Sequence, residues 1–335
     1  MKAILLSVAE GPQAVRYVDV ETPQPKAGEV LIKLKFAALN RRDVWICHGT
    51  YRDMKLPIIL GSDGAGEVAA CGPDVQNVRV GDAVIVNPGL KWGELEAYPS
   101  PDFEILGMPS DGTFAQYVVV PADHVYPKPA HLSWEEAAAL PLAGVTAYRA
   151  LFTRGQLQPG ETVLIPGIGS GVALFALQMA VAKGAKVYVT SSSEEKIGRA
   201  MELGAAGGVN YRQDDWVKQL RQMMGGADLV IDSIAGPGFA KLVELTKPGG
   251  RIVCFGMTGG VVPELVMRNV FFRQMDIRGT TMGSPRDFAG LLALYGEHRL
   301  HPVIDSKYPL ELAAEALSRM DKGDNFGKIV LEIPE

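Results

Sequence analysis

Cysteine is scarce in this chain. Only Cys47, Cys71 and Cys254 occur among its 335 residues, and no two of them form a C-x-x-C pair. This spacing indicates neither a disulfide framework nor a zinc knuckle built from cysteines. Such usage fits a reducing compartment, so we expect a cytoplasmic protein.

Long apolar runs and an excess of basic residues are lacking as well. The N-terminal run MKAILLSVAEGP reaches Glu10 too soon for a signal peptide, and the stretch VALFALQMAVA contains Gln178 and is shorter than a membrane span. The formal net charge of -5 gives no support for binding to nucleic acid or to an anionic membrane. We therefore expect a small-molecule substrate, with neither nucleic acid nor a membrane as partner.

The composition is that of an ordinary globular protein. Hydrophobic residues make up 47% of the chain and charged residues 21%, which leaves enough apolar surface for a substantial core. A length of 335 residues predicts about two domains.

The first third of the chain is rich in predicted strands. Short β-prone runs such as EVLIKLKF, GEVAACG, GDAVIVNPG and FAQYVVVP are bounded by Gly, Pro and Asp. Between them, residues 87–112 show no periodicity and many turn-forming residues, which predicts a long excursion loop. We assign residues 1–127 to a β-rich domain.

From Ser133 onward the pattern changes. SWEE predicts a capping box that opens one continuous apolar helix, EEAAALPLAGVTAYRALF, over residues 135–152. Six predicted strands then alternate with helices (TVLI, KVYVT, GGVN, DLVID, RIVCF and MDIRGTT), which indicates α/β architecture with a doubly wound parallel sheet over residues 128–283. The tail, residues 284–335, ends in the run GKIVLEI, which we expect to return to the β-rich domain.

A glycine-rich loop, PGIGSGVA at 166–173, joins the first of these strands to a helix. A glycine-rich backbone at a helix N-terminus can bind a phosphate group, because unpaired N–H groups and the positive end of the helix dipole meet there. A tight turn with close packing would need glycine too. The parallel-sheet context favours dinucleotide binding, with Gly169, Ser170, Gly171 and Val172 as the contacts.

The end of the second strand bears on the choice of cofactor. NAD sites place a carboxylate about 20 residues beyond the glycines, whereas this chain has a serine run there. Ser191, Ser192, Lys196 and Tyr211 can donate to a 2′-phosphate, which predicts NADP. A helix cap followed by Glu194 also explains the run, and the two interpretations are compatible.

Three further stretches carry a resemblance to a known family. LNRRDVWICHG (39–49), LPIILGSDGAGEVAACG (56–72) and PLAGVTAY (141–148) resemble the medium-chain dehydrogenase/reductase superfamily, and the chain looks closest to its zinc-free, quinone oxidoreductase-like branch. The resemblance implies a GroES-like catalytic domain beside a Rossmann-type domain. It also implies a homodimer or homotetramer.

Zinc alcohol dehydrogenases of this superfamily take their catalytic metal from three positions that here fall at Asn40, Ser62 and about Leu142. None of these residues supplies the imidazole or thiolate that zinc requires, so we predict no metal. The cysteines that hold a structural zinc in the excursion loop are absent too. Trp92 and Phe103 are the residues that we expect to maintain this loop.

The same resemblance gives candidate roles to the remaining site residues. Arg41 lies where the superfamily often contacts the cofactor pyrophosphate, and Arg42 replaces the Ser or Thr that relays protons in the zinc enzymes. Tyr51 is the candidate proton donor and Asn40 a hydrogen-bond partner for nicotinamide or substrate, whereas Ser62 offers a hydroxyl without a neighbouring histidine.

We therefore expect an NADPH-dependent oxidoreductase that transfers hydride to a quinone or an activated enone or carbonyl without zinc. Two alternatives stay open at this point. One is an alcohol dehydrogenase that binds zinc through ligands not placed in the sequence. The other is an NADPH-binding protein with little turnover.

Overall fold

A computed structural model describes residues 1–51 and 54–335. The chain divides into two compact units, Met1–Ala143 together with Ser284–Glu335, and Gly144–Gly283. We expected the first boundary after residue 127. In the structure it lies after Ala143, because the helix Trp134–Ala139 packs on strands of the first unit.

The first unit is built mainly from short strands. Before residue 143 these are β1 (Lys2–Leu6), β2 (Arg16–Asp19), β3 (Glu29–Ala38), β4 (Ile58–Ile59), β5 (Asp63–Cys71), β6 (Ala83–Val86), β7 (Gly89–Leu90), β8 (Glu104–Ile105), β9 (Tyr117–Pro121) and β10 (Val125–Pro127). The helices of this stretch are α1 (Arg41–Cys47), α2 (Trp134–Ala139) and α3 (Pro141–Tyr148), the last of which runs into the second unit.

The prediction of one continuous helix over residues 135–152 is wrong, because separate helical segments lie there. Its capping box is confirmed, since Ser133 Oγ accepts a hydrogen bond from Glu136 N at 3.2 Å and Glu136 Oε2 accepts one from Ser133 N at 2.8 Å. The helix then stops at Ala139 and restarts at Pro141, because proline has no N–H to donate inside a helix. Beyond α3 the backbone widens into a π-helical turn, Arg149–Arg154.

The second unit alternates strands and helices, as the sequence predicts. Its elements are β11 (Thr162–Ile165), α4 (Gly171–Ala182), β12 (Lys186–Ser191), α5 (Glu194–Glu202), β13 (Gly207–Asn210), α6 (Trp216–Met224), β14 (Ala227–Asp232), α7 (Phe239–Leu245), β15 (Thr246–Cys254), α8 (Met267–Phe271) and β16 (Asp276–Gly279). The six strands form one parallel sheet in the order β13-β12-β11-β14-β15-β16. The doubly wound sheet and its six strands are thus confirmed.

The tail belongs to the first unit. It contains α9 (Pro285–His298), β17 (Ile304–Pro309), α10 (Ala313–Lys322) and β18 (Lys328–Glu332). β18 is the GKIVLEI run, and it pairs antiparallel with β3, so the predicted return of this run is confirmed.

The main sheet of the first unit has the order β10-β6-β5-β3-β18-β17, with β9 also paired to β3. Glycine in β5 permits this tight pairing, because a Cβ at Gly66 would lie 2.1 Å from the carbonyl oxygen of Lys33. Apolar side chains of β3, β5, β6, β9 and β18 form one core together with those of α1 and α10. Within the described residues, no helix is long and apolar enough to cross a membrane.

Candidate active site

Helix α1 begins directly after the end of β3, with Asn40 as its N-cap. Asp43 sits one turn inside the helix, and its Oδ2 accepts a hydrogen bond from Asn40 N at 2.8 Å. The Asp43 carboxyl is fully buried, and its Oδ1 is a buried atom with no hydrogen-bond partner among the described residues. Burial raises the pKa of Asp43 to about 6, and the nearby Arg42 cation opposes this rise.

Arg42 carries the cation of the candidate site, and only 6% of it is exposed. Its Nη1 donates to Ser62 Oγ at 2.6 Å and to the Leu106 carbonyl at 2.8 Å, and Nη2 donates to the Met108 carbonyl at 3.2 Å. Nε donates to Tyr51 Oη at 3.4 Å, and the guanidinium carbon lies 4.9 Å from the Tyr51 ring centroid.

All four described acceptors of this buried cation are neutral oxygens. A guanidinium has five N–H groups, so one N–H on Nη2 has no acceptor in the part of the chain that the structure describes. The buried Asp43 carboxyl interacts with Arg42 through its charge, but its Oδ2 accepts from Asn40 N, so the unused N–H of Arg42 can still donate to an incoming oxygen that gains negative charge.

The hydroxyl groups of Ser62 and Tyr51, both bonded to Arg42, differ in whether they also donate a hydrogen bond. Ser62 Oγ accepts from Arg42 and donates to the Leu106 carbonyl at 2.7 Å, so both its functions are used within the protein. Tyr51 Oη accepts the Arg42 bond, while its own O–H donates to no described residue. The phenol proton is therefore available, whereas the serine proton is not.

Asn40 belongs to a second polar cluster beside the first. Its Oδ1 accepts from Lys328 Nζ at 2.7 Å, and its Nδ2 donates to Asp63 Oδ2 at 2.9 Å. Lys328 also donates to Asp63 Oδ2 at 3.0 Å, and the Leu142 N–H donates to Asp63 Oδ1 at 2.8 Å. The side-chain carbonyl of Asn40 is thus already occupied by a cation.

The three positions that the resemblance compares with zinc ligands do not fit a metal. Asn40 and Leu142 both bond to Asp63, while Ser62 bonds to Arg42. Among residues 1–51 and 54–335, no group of three or more His, Cys, Asp or Glu side chains could hold a metal ion. Amide, hydroxyl and hydrocarbon side chains are not the ligand set of a zinc site.

The glycine-rich loop lies at the carboxyl end of β11, where it leads into α4. Gly169 has φ 126°, a value that favours glycine, and Ser170 is the N-cap whose Oγ accepts from Ala173 N at 3.3 Å. The N–H groups of Gly171 and Val172 have no acceptor among the described residues. These two donors at a helix N-terminus fit a phosphate of a dinucleotide.

The serine run separates into three roles. Ser193 is the N-cap of α5 and accepts from Lys196 N at 3.3 Å, and Ser191 Oγ is buried and accepts from Ser193 N at 3.2 Å. The Ser192 hydroxyl has no described partner. Tyr211, which is 44% exposed, is held next to the run by a bond from its N–H to the Ser191 carbonyl at 3.0 Å.

Arg41 contacts α10, and the predicted aromatic pair of the excursion loop is in contact. Arg41 Nη1 donates to the Asp321 carbonyl at 3.3 Å on α10, and burial lowers the pKa of its guanidinium. In the loop, the rings of Trp92 and Phe103 make an edge-to-face contact with centroids 5.3 Å apart, and Trp92 is 3% exposed.

Sequence reasoning missed Lys328 and the carbonyls of Leu106 and Met108. Lys328 lies 265 residues from Asp63 and is the polar first residue of an apolar strand. The local sequence therefore does not indicate that the two residues form an ion pair. Backbone carbonyls carry no residue identity, and only the folded chain could place them around Arg42.

Comparison with known proteins supports a family assignment. Residues 26–130 match the model of the alcohol dehydrogenase GroES-like domain, and residues 171–297 match that of the zinc-binding dehydrogenase. Together these matches span most of the chain and both of its units.

Individual relatives cover nearly the whole chain. It is 36% identical to a zinc-type alcohol dehydrogenase-like protein of Leptosphaeria maculans (94% of this chain, 93% of the relative) and 31% identical to the quinone oxidoreductase of Homo sapiens (99% and 97%). A crystal structure of an NAD-dependent alcohol dehydrogenase matches with a TM-score of 0.95 at 39% identity, covering 100% of both chains. The chain therefore belongs to the medium-chain dehydrogenase/reductase superfamily, and it is an oxidoreductase of that family.

Proposed function

We propose that this protein is an NADPH-dependent oxidoreductase that transfers hydride, without zinc, to a quinone or to another activated enone or carbonyl. The observation that carries the proposal is Arg42, a buried cation bonded only to neutral oxygens and with one N–H unused. The proposal gives this cation the electrophilic role that a metal has in the zinc enzymes.

NADPH supplies the hydride when it is bound. The carbonyl oxygen of the substrate gains negative charge as hydride arrives, and the Nη2 group of Arg42 donates a hydrogen bond to that oxygen. A conjugated carbonyl suits this arrangement, because its π-system spreads the charge that one guanidinium must stabilise. The reaction is completed by one proton, so that the substrate gains two electrons and two hydrogens in total.

Tyr51 is the proton donor in this proposal. Its oxygen accepts a bond from Arg42 Nε, which holds the phenol beside the cation, and its own proton is not used by any described residue. Ser62 holds Arg42 in place and is not a donor to substrate, since its proton is engaged by the Leu106 carbonyl. Asn40 acts through the cluster that it forms with Asp63.

The choice of NADPH rests on Ser192, Lys196 and Tyr211. Ser192 has an unused hydroxyl, and no carboxylate occurs at positions 190–193, where it would accept from the ribose of NAD. The similar solved structure is described as NAD-dependent, so the preference is argued from this chain's own residues. Gly169, Ser170, Gly171 and Val172 would hold the phosphates, with Arg41 as a further contact to the pyrophosphate.

We also propose that the protein is a cytoplasmic homodimer, or a tetramer built from such dimers. β16 is an edge strand, and exposed apolar side chains lie near it in sequence, including Val261 at 74% exposure and Phe272 at 73%. An uncovered strand edge with apolar neighbours favours pairing with a second copy. Light scattering at micromolar concentration should give at least twice the mass of one chain, and the mass of a single chain would contradict the proposal.

Arg42→Ala with chemical rescue tests the proposed chemistry. The variant should lose about 10²- to 10³-fold in kcat for quinone reduction, as expected when one donor to an oxyanion is removed. Free guanidinium at millimolar concentration should restore part of the rate, because the Leu106 and Met108 carbonyls still accept from a guanidinium. Arg42→Lys should stay well below the wild type, since one ammonium cannot make four bonds in this geometry.

Arg319→Ala is the matched control. This arginine is paired with Asp305 at 2.9 Å and lies outside the site, so its removal should leave kcat unchanged and guanidinium without effect. An Arg42→Ala variant that keeps the wild-type kcat with 1,2-naphthoquinone would refute the role of Arg42. Alcohol oxidation that depends on added zinc would favour the zinc alternative, and binding of NADPH without turnover of any acceptor would favour the binding-protein alternative.

A further inference from the structure

Lys328 is a buried cation that the proposed reaction does not use. It is 2% exposed, and its Nζ bonds to Asn40 Oδ1 and to Asp63 Oδ2. Asn40 Nδ2 bonds to the same Asp63 oxygen, so ammonium, amide and carboxylate form a closed triangle with edges of 2.7, 3.0 and 2.9 Å. A triangle in which every edge is a hydrogen bond fixes the relative positions of its three chain segments.

Two of these segments carry the residues around the proposed electrophile. Asn40 is the N-cap of α1, two residues before Arg42, and Asp63 follows Ser62 at the start of β5. Arg42 and Ser62 bond to each other at 2.6 Å. The triangle therefore holds the two backbone segments from which the Arg42–Ser62 bond is made.

The third segment is the strand β18, which returns from the end of the chain. Pairing of β18 with β3 brings Lys328 to this place, since Val330 is opposite Ala38 in that ladder. Lys328 thus links the tail of the chain to the start of α1. Asp63 Oδ1 also accepts a hydrogen bond from the Leu142 N–H, so the start of α3 is linked to the triangle as well.

The charges of the triangle point to a positioning role rather than to a gain in stability. Replacing a buried ion pair by neutral groups of similar size is often neutral for stability, whereas leaving one charge alone is strongly destabilising. Lys328 and Asp63 neutralise each other, so neither is free to attract an anionic substrate. What the pair contributes is a defined hydrogen-bond arrangement.

We propose that Lys328 is a positioning residue for Arg42, acting through Asn40 and Asp63. Removal of the triangle should leave the fold intact but allow the Arg42 guanidinium to move away from its bonds to Ser62, Leu106 and Met108. The expected effect of Lys328 on kcat rests on the proposed function. Its effect on the order of the Arg42 side chain can be measured independently.

The test variant is Lys328→Met with Asp63→Asn, which removes both charges together. Its readouts are the Nε–Hε NMR signal of Arg42, assigned by its loss in Arg42→Lys, and steady-state kinetics with a quinone. We expect fast solvent exchange or broadening of that signal, a kcat lower by about 10- to 100-fold, and a KM for NADPH within about twofold of the wild type. Arg251→Met with Glu161→Gln removes one ion pair of the other unit and should change neither the Arg42 signal nor kcat.

Asn40→Ala is a second, milder variant in case the double variant does not fold. It keeps the Lys328–Asp63 ion pair but cuts the link to α1, and it should loosen the Arg42 signal in the same way. An Arg42 signal as sharp and protected as in the wild type, in whichever of the two variants folds, would overturn the proposal. A loosened signal with unchanged kcat would uphold the positioning of Arg42 and would instead refute its catalytic role.

Discussion

Two regions of the first unit differ in how they are held together. The segment around Arg42 is filled with buried charge: two cations, Arg42 and Lys328, and two carboxyls, Asp43 and Asp63. The part of the excursion loop between Trp92 and Phe103 is instead held by the edge-to-face contact of these two rings, whereas Leu106 and Met108, further along the loop, supply carbonyls to Arg42. In the zinc enzymes that the chain resembles, both regions hold a metal.

The difference indicates what each region is for. An aromatic contact stabilises a loop through apolar burial and supplies no reactive group. Buried charges stabilise little and require many hydrogen bonds, so a cluster of them indicates chemistry rather than stability. Loss of the Trp92–Phe103 contact should therefore lower stability with little effect on rate, whereas loss of Arg42 should lower the rate.

The largest effect on stability should come from Trp92→Ala. Loss of a buried aromatic ring of this size costs about 3–5 kcal/mol when the site cannot collapse. Urea denaturation should show this loss in the free energy of unfolding, while kcat for quinone reduction of the folded variant stays within about threefold of the wild type. A kcat that falls as far as in Arg42→Ala would mean that the Trp92–Phe103 contact is needed to position the Leu106 and Met108 carbonyls around Arg42.

Asp43→Asn should change the pH dependence of stability. The pKa of Asp43 is raised in the folded state from 3.8 to about 6, so its ionisation opposes folding. Below the unfolded pKa the carboxyl is protonated in both states and does not lower the stability of the fold. As the pH rises from about 4 to about 6, the unfolded state ionises more readily, and the free energy of unfolding falls by about 3 kcal/mol for a pKa shift of about two units. Asn keeps an acceptor for Asn40 N–H and cannot ionise.

Urea titrations at pH 4, 5, 6 and 7 measure this difference. The stability of the wild type relative to Asp43→Asn should decline over the first three values and then level off. A constant difference across the series would contradict the raised pKa. Trp92→Ala serves as the control, because it should lower stability by the same amount at every pH.

The smallest effect concerns the cofactor. NADPH should bind at least about tenfold more tightly than NADH, which corresponds to about 1.4 kcal/mol. Lys196→Ala should weaken the binding of NADPH and leave that of NADH nearly unchanged, because only the 2′-phosphate meets the ammonium. Ser192→Asp should reverse the preference. Equal affinities of the wild type in a fluorescence titration would mean that Glu194 holds the ribose and that the serines only cap α5.

Much of the second unit could be predicted from the sequence. Its strands are short apolar runs between glycine-ended helices, so local pattern alone defines β11 to β16. The capping box at Ser133 was visible for the same reason, since its two partners are three residues apart. Pro141 marks the place where the helix breaks, but the apolar pattern continues on both sides of it and therefore predicts one helix.

The candidate site was predictable only in its residue types. Asn40, Arg42 and Ser62 follow from motifs, yet their partners come from distant segments: Arg42 bonds to the Leu106 carbonyl 64 residues away, and Lys328 to Asn40 288 residues away. Such pairings depend on strand register, above all that of β18 against β3. No local sequence pattern encodes that register, so the closed triangle around Asp63 could not be predicted.

We propose that the Arg42 guanidinium, rather than a metal, polarises the substrate carbonyl. The most direct measurement is the rate of NADPH oxidation with 1,2-naphthoquinone by protein that has been treated with a strong chelator and shown by elemental analysis to be free of zinc. We predict the same kcat as for untreated protein, with no increase when zinc is added back. A rate that disappears on chelation and returns with about one zinc per chain would show that a metal, and not Arg42, polarises the carbonyl.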